Sequence, residues 1–186
     1  MNYEQKLIEI AAQQKEINEI FQILHSFDLT QAFLCGGSLR DMIWDHLSNR
    51  QPNFIRNNID VIYADPEQSY EAFLTVQEMI KLQHSKFLWN IQNVCLNDST
   101  NHEPYGQTIL EALKTIPETC SAFGLTLTLE SKYQVLAPFG LADLFNFEVH
   151  PTQEYAHDQK KLALYQKRIE WKEWSTTWPQ IKVFSK

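Results

Sequence analysis

The sequence predicts an α+β domain, a mixed sheet flanked by helices with helical segments at both ends. Three observations carry this. The apolar run Ala32-Phe33-Leu34 runs into Cys35-Gly36-Gly37-Ser38-Leu39-Arg40-Asp41 and then into an amphipathic stretch, as a strand, a tight turn and a helix start do. A β-branched run, Asn58-Ile59-Asp60-Val61-Ile62-Tyr63, alternates a carboxylate with apolar neighbours. Helix-period stretches over 3–25 and 154–174 bracket further strand-like runs, which makes the class mixed.

A chain of 186 residues, 44% hydrophobic, suits one domain with a real core. We divide it into an N-terminal helix (1–28), a catalytic-type core (29–150) and a C-terminal helical tail (151–186). No apolar run approaches the roughly 18 residues that span a bilayer, and Met1-Asn2-Tyr3-Glu4-Gln5-Lys6 lacks the order of a signal peptide. A cytoplasmic protein without membrane contact is expected. Cys35, Cys95 and Cys120 are odd in number and lack CxxC spacing, so reduced thiols are expected. A net charge of -7 argues against general nucleic-acid binding but leaves room for a nucleotide, which needs only a few local cations.

In chain order, residues 3–25 read as one helix with Leu7, Ile10, Ala11, Ile17, Phe21 and Leu24 on its packed stripe. Gln31 to Cys35 is a strand and Gly36-Gly37 the turn, with Ser38 placed as N-cap. The next helix buries Leu39, Met42, Ile43 and Leu47, which puts Arg40 and Asp41 on its more exposed face. A loop over 48–57 leads to the strand Ile59–Tyr63, whose Ile59, Val61 and Tyr63 point away from Asp60 and Ile62. A helix over 69–82 has Ser69 as N-cap and Ala72, Phe73, Val76, Met79 and Ile80 as its apolar face. A strand over 86–96 puts Asn90, Gln92 and Val94 on one face, and 97–105 is a polar loop. A short helix over 107–116, strands over 122–129 and 133–137, and a helix or turn over 140–147 follow. The last helix, 154–174, aligns Tyr155, Leu162, Tyr165 and Ile169, with Trp171, Trp174 and Trp178 docking the tail.

Two glycines before a helix let the backbone approach a ligand, and the helix start offers free N–H groups and a positive dipole end to an anion. A carboxylate on a neighbouring strand can hold a metal against that anion. Asn58 and Asp60 have the spacing at which two strand residues face one site, but only Asp60 is charged. Asn90, on the next strand, stands where a third ligand would.

The run Gly36-Gly37-Ser38-Leu39-Arg40-Asp41-Met42-Ile43-Trp44-Asp45-His46-Leu47 resembles the first motif of a bacterial nucleotidyltransferase-like family of the DNA polymerase beta-type superfamily. Asn58–Pro66, Trp89–Asn93, Pro104-Tyr105, Pro117-Glu118-Thr119, Ala137–Phe145 and Trp178-Pro179 follow in that family's order. The resemblance runs from about Ala32 to the C-terminus. It implies a polymerase-beta-like palm, a triphosphate at Gly36, Gly37, Ser38 and Arg40, and Mg²⁺ or Mn²⁺ at Asp60. It implies transfer of a nucleoside monophosphate from an NTP, ATP foremost, to an acceptor that is a small molecule or a protein. The family pattern has Asp and Glu where this chain has Asn58 and Asn90. Amide oxygens can still ligate Mg²⁺, but the site is short of two negative charges.

Each residue has a plainer reading beside the functional one. Gly36-Gly37-Ser38 is also an ordinary strand–helix turn. Arg40 reaches phosphate or pairs with Asp41 or Asp45. Asp65, before Pro66, is a pocket candidate or a turn-former. Asn93 orients the neighbouring strand or the nucleotide. The histidines lack close pairing, which argues against zinc, and Glu118 and Asp143 suggest only capping or structure. The functional alternatives are an enzyme and a pseudoenzyme that binds a nucleotide or a partner without chemistry.

Overall fold

The computed structural model describes residues 2–55, 57–96 and 107–185. The expected loop over 97–105, the Pro104-Tyr105 motif and Arg56 lie outside them. Helices α1 (Tyr3–Ala12) and α2 (Lys15–Ser26) replace the single expected N-terminal helix. Asn2 caps α1, whose apolar stripe ends at Ala11; Gln14 is extended and α2 restarts the stripe at Ile17. The apolar period ran unbroken in sequence because both helices pack on the same core.

Strand β1 (Phe33–Cys35) runs into α3 (Gly36–Leu47), then β2 (Asn58–Tyr63), α4 (Tyr70–Gln83) and β3 (Leu88–Asn93). Ser69 caps α4 through Ala72 N–H. Only Ile80 of α4 is fully buried, and Met79, placed on its apolar face, is exposed. After α5 (Ile109–Lys114) and a 3₁₀ turn (Thr119–Ser121) comes the hairpin of β4 (Gly124–Leu127) and β5 (Tyr133–Leu136). The sheet order is β3-β2-β1-β4-β5, with β2 and β3 parallel and the other neighbours antiparallel.

The two-residue alternation of strands sorts the sheet into two faces. Leu34, Ile59, Val61, Trp89 and Ile91 join the main core with α1, α2, α3 and α4. Phe33, Cys35 and Ile62 look the other way, where α5 covers part of the face with Ala112 and Leu113. The polar residues of the site stand on this second, half-covered face.

The core closes with α6 (Ala142–Asn146) and β6 (Glu148–Val149), and the C-terminal tail contains α7 (Gln153–His157), α8 (Gln159–Lys172), α9 (Trp174–Thr177) and β7 (Lys182–Val183). The expected single helix over 154–174 breaks at Asp158, whose carboxylate accepts from Lys160 and Lys161 N–H and caps α8. Strand β7, unseen in the sequence, pairs in parallel with β6. Tyr165 ties the tail down by donating to Val149 O and Phe184 O at 3.0 and 2.8 Å. Trp174 and Trp178 are buried as expected, whereas Trp171 is 78% exposed and docks nothing. Both buried indoles meet Trp44 edge-on at 5.9 and 5.2 Å. Trp44 donates to Leu144 O at 2.9 Å. None of the described helices is long and apolar enough to cross a membrane.

Trp44 is thus where the α3 helix, α6 and the tail meet. Trp44→Ala should cost about 3–5 kcal/mol by loss of burial and an unrelaxed cavity, read as a lower denaturation midpoint in urea. A loss under about 1 kcal/mol would show that the tail docks independently of this residue.

Candidate functional site

Three strands align one row of the site. Cys35 on β1 is in register with Asp60 on β2, and Asp60 with Asn90 on β3. Asn90 Nδ2 donates to Asp60 Oδ1 at 2.8 Å. Burial, then the neighbouring Asp60, push the Cys35 thiol far up, so it stays protonated.

Gly36 holds φ +66, a conformation that L side chains rarely adopt. A Cβ there would lie 2.7 Å from Asp60 Oδ2. The glycine therefore does two jobs: it turns the chain from β1 into α3, and it leaves room for the carboxylate against the helix start. Gly37 has no such crowding, its nearest neighbour being Arg40 Nη2 at 3.7 Å. Ser38 is not the N-cap; the cap position is Cys35, which makes no side-chain capping bond, and Ser38 lies buried inside the first turn. The α3 start is therefore uncapped and has no acid in its first turn. The positive end of its dipole, which favours anions, lies beside the Asp60 carboxylate.

Two clefts meet at Gly37, Asp60 and Arg168. The larger, ≈ 690 Å³, is polar and includes Ser38, Arg40, Asn58 and Lys172 in its wall. The smaller, ≈ 220 Å³, lies over the sheet between Asn90, Gln92, Ala112 of α5 and Ile116 just beyond that helix. Asn58 thus shares a cleft with Asp60 and Ser38, and Asn90 shares the other with Asp60 and Gly36.

Arg40 is buried, not exposed. Nε and Nη2 donate to Asp41 Oδ1 at 3.0 and 2.7 Å, Nη1 donates to Ser121 Oγ at 2.9 Å, and the guanidinium lies over Trp174 at 4.2 Å. Burial works against its charge, but Asp41, Cys120 and Glu118 outweigh it and raise its pKa. The helical wheel placed Arg40 outward because it could not see the 3₁₀ turn and the tail folding over that face. Asp45 accepts from Arg50 Nε and Trp178 Nε1, both at 3.1 Å.

Asp65 and Asn93 stand at the far end of β2 and line neither cleft. Asp65 Oδ1 accepts from Glu67 N–H, as a turn-former does. Buried Asn93 clamps that turn, accepting from the N–H of Asp65 and Cys95 and donating to Asp65 O.

The sequence reading gave Glu118 only a capping or structural role and missed Arg168. Glu118 is wholly buried and its Oε1 accepts from Arg168 Nε of α8. The available signal was a cation beside the apolar stripe of α8, one position from Ile169. His150 also departs from expectation: with Asp143 and Glu148 its donor atoms lie within 4.8 Å of one another. Thr119 already donates to Asp143, and Lys182 Nζ to Glu148 at 3.4 Å.

The donor set at Asp60 tests the expected metal. One carboxylate, with one oxygen occupied by Asn90, suits a single Mg²⁺ completed by phosphate oxygens and water. It does not suit a pair of divalent ions, which needs several carboxylates to offset the charge.

A family model described as nucleotidyltransferase matches residues 22–183. A protein whose NMR structure reveals a CCA-adding enzyme head domain superposes with a TM-score of 0.82 at 29% identity, over 97% of this chain and 95% of that one. The Bacillus stearothermophilus CCA-adding enzyme in complex with CTP matches at 0.56 and 16% identity, over 84% of this chain and 38% of its own. The Thermotoga maritima CCA-adding enzyme complexed with tRNA matches at 0.57 and 14%, over 96% and 42%. The chain spans under half the length of those two enzymes, and at such identities the likeness is one of fold. A search of curated proteins found no match.

The Gly36–Asp60 approach is directly checkable. Gly36→Ala should cost about 1–2 kcal/mol from the backbone alone and more from the clash with Asp60 Oδ2. Asp60→Ala should remove the second part, so the double variant should be more stable than the sum of the singles implies, in urea denaturation. Strict additivity would show that the carboxylate does not occupy that space.

Proposed function

The chain belongs to a nucleotidyltransferase family, and from that premise we propose that it transfers a nucleoside monophosphate from an NTP, ATP foremost, to an acceptor that is a small molecule or a protein. One observation carries this reading: the uncapped start of α3 and the Asp60 carboxylate are held against each other where two clefts meet. A donor in one cleft and an acceptor in the other would bring their reacting atoms together at Asp60.

The first-turn amides beyond Gly36, including those of Gly37 and Ser38, bind phosphate oxygens along the dipole. Arg40, whose nitrogens are engaged by Asp41 and Ser121, acts on the phosphates through its field. Asp60, with Asn58 and Asn90 as neutral neighbours, would hold one Mg²⁺ or Mn²⁺. Such an ion, when bound, neutralises phosphate charge. The acceptor oxygen attacks the α-phosphorus, the bond to the β-phosphate oxygen breaks, and pyrophosphate leaves. The acceptor proton passes to the Asp60 carboxylate or to water beside it. Asp65 and Asn93, set apart at the other end of β2, shape the strand end.

A second reading, a nucleotide-binding protein without chemistry, is favoured by the Asn90–Asp60 hydrogen bond, which occupies an oxygen that a metal would use. Pyrophosphate release from ATP with Mg²⁺ across pools of small-molecule and protein acceptors separates the two. The transfer reading expects release that Asp60→Ala reduces at least about 100-fold, the scale of losing a group that acts in the transition state. ATP binding without release in every pool would leave the second reading standing.

A further inference from the structure

Glu118 is fully buried, and among the described residues its Oε2 has no hydrogen-bond partner. A buried carboxylate left half-satisfied is costly unless a cation is fixed beside it. Arg168 is that cation. Its Nε is bound to Glu118 Oε1, which fixes the direction of the guanidinium plane. Nη1 and Nη2 have no partner among the described residues, and Arg168 borders both clefts. Arg40 differs, since Nε, Nη1 and Nη2 all donate within the protein.

One turn further along α8, Lys172 borders the larger cleft. Partial burial, then Arg168 and Arg40, lower its pKa. The two guanidinium groups add to the effect of burial, and Asp41 and Glu118 offset part of it. The wall of the larger cleft sets Arg40, Arg50, Arg168 and Lys172 against Asp41, Asp45 and Asp60, and Asn58 and Asn90 add no further negative charge.

We propose that Arg168, aimed by the buried Glu118 into the seam between the clefts, binds the phosphates of the nucleotide, with Lys172 beside it. This rests on the nucleotide-transfer reading and assigns a role that the reading leaves open. The guanidinium offers its two outer nitrogens as a fork to phosphate oxygens, a bidentate match that lysine cannot reproduce. Protein cations on α8 thereby supply charge that a metal pair would supply beside three acids. Glu118 is a positioning residue, since it touches Arg168 and not the ligand.

The test is calorimetric titration of the whole chain with ATP and with inorganic tripolyphosphate, in EDTA and in Mg²⁺. The wild type should bind both in EDTA. Arg168→Ala should weaken both by roughly 10- to 100-fold, the range for a charge-assisted hydrogen bond, and Arg168→Lys should recover part of the loss. Lys172→Ala should weaken both less. Glu118→Gln should weaken ATP binding with a flatter salt dependence than wild type, beyond any change in the melting temperature of the free protein. Should Glu118→Gln fail to fold, the Arg168 pair decides. Unchanged affinity in Arg168→Ala, or wild-type binding only when Mg²⁺ is present, would overturn the proposal. ATP bound through Arg168 without pyrophosphate release would sink the transfer reading and uphold this one.

Discussion

The buried guanidinium of Arg40 joins parts of the chain that are far apart in sequence. It binds Asp41 within α3, Ser121 in the 3₁₀ turn and the face of Trp174 in the tail. A cation this buried is costly unless every donor is answered. Those answers come from three segments, so the segments must be in place together. Trp44 adds the apolar half of the junction, packed against Trp174 and Trp178 and bound to Leu144 O. The tail is thereby fixed beside the sheet, and α8 is fixed with it. Everything α8 contributes to the clefts depends on that docking.

The site itself is a compromise in charge. The strand register lines up Cys35, Asp60 and Asn90, and only the middle one ionises. Asn90 gives Asp60 a donor where an acid would have given it repulsion. That bond helps to hold Asp60 in place, and Gly36 leaves it room beside the start of α3. Phosphate chemistry needs compensating positive charge, and in the proposed reaction the uncapped helix start together with Arg168 and Lys172 would supply it.

The sheet was legible in the sequence because its signals are local. Asp60 opposing Ile59 and Val61 follows from the strand period alone, and Ser69 was recognised as a cap from its position. What failed was set by contacts between distant residues. The stripe of 3–25 looked continuous because α1 and α2 share one core, although the chain turns at Gln13-Gln14. Arg40 sat on the polar side of its helix, and its burial came from the 3₁₀ turn and the tail folding over it. Trp171 was grouped with Trp174 and Trp178 by composition, but α8 ends at Lys172 and points that indole to solvent. The two-residue strand β7 exists only because β6 is there to pair with it. Glu118 was read as structural, and the structure agrees in part: it is buried, yet what it holds is an arginine at the seam. The motif order from Ala32 onward placed the helix start and Asp60 side by side, which local propensity could not do.

The α8 cations sit in a chain whose formal net charge is -7. At about 0.1 M salt a charge is felt over only some 10 Å. Within that distance of the rest of the surface a polyanion meets net repulsion, while in the larger cleft the cations Arg40, Arg50, Arg168 and Lys172 outnumber the acids Asp41, Asp45 and Asp60. If Arg168 and Lys172 hold the phosphates as proposed, the protein sorts anions by length. A triphosphate fits within the attractive zone, whereas a long polymer must keep most of its charge outside it, and added salt would narrow that difference.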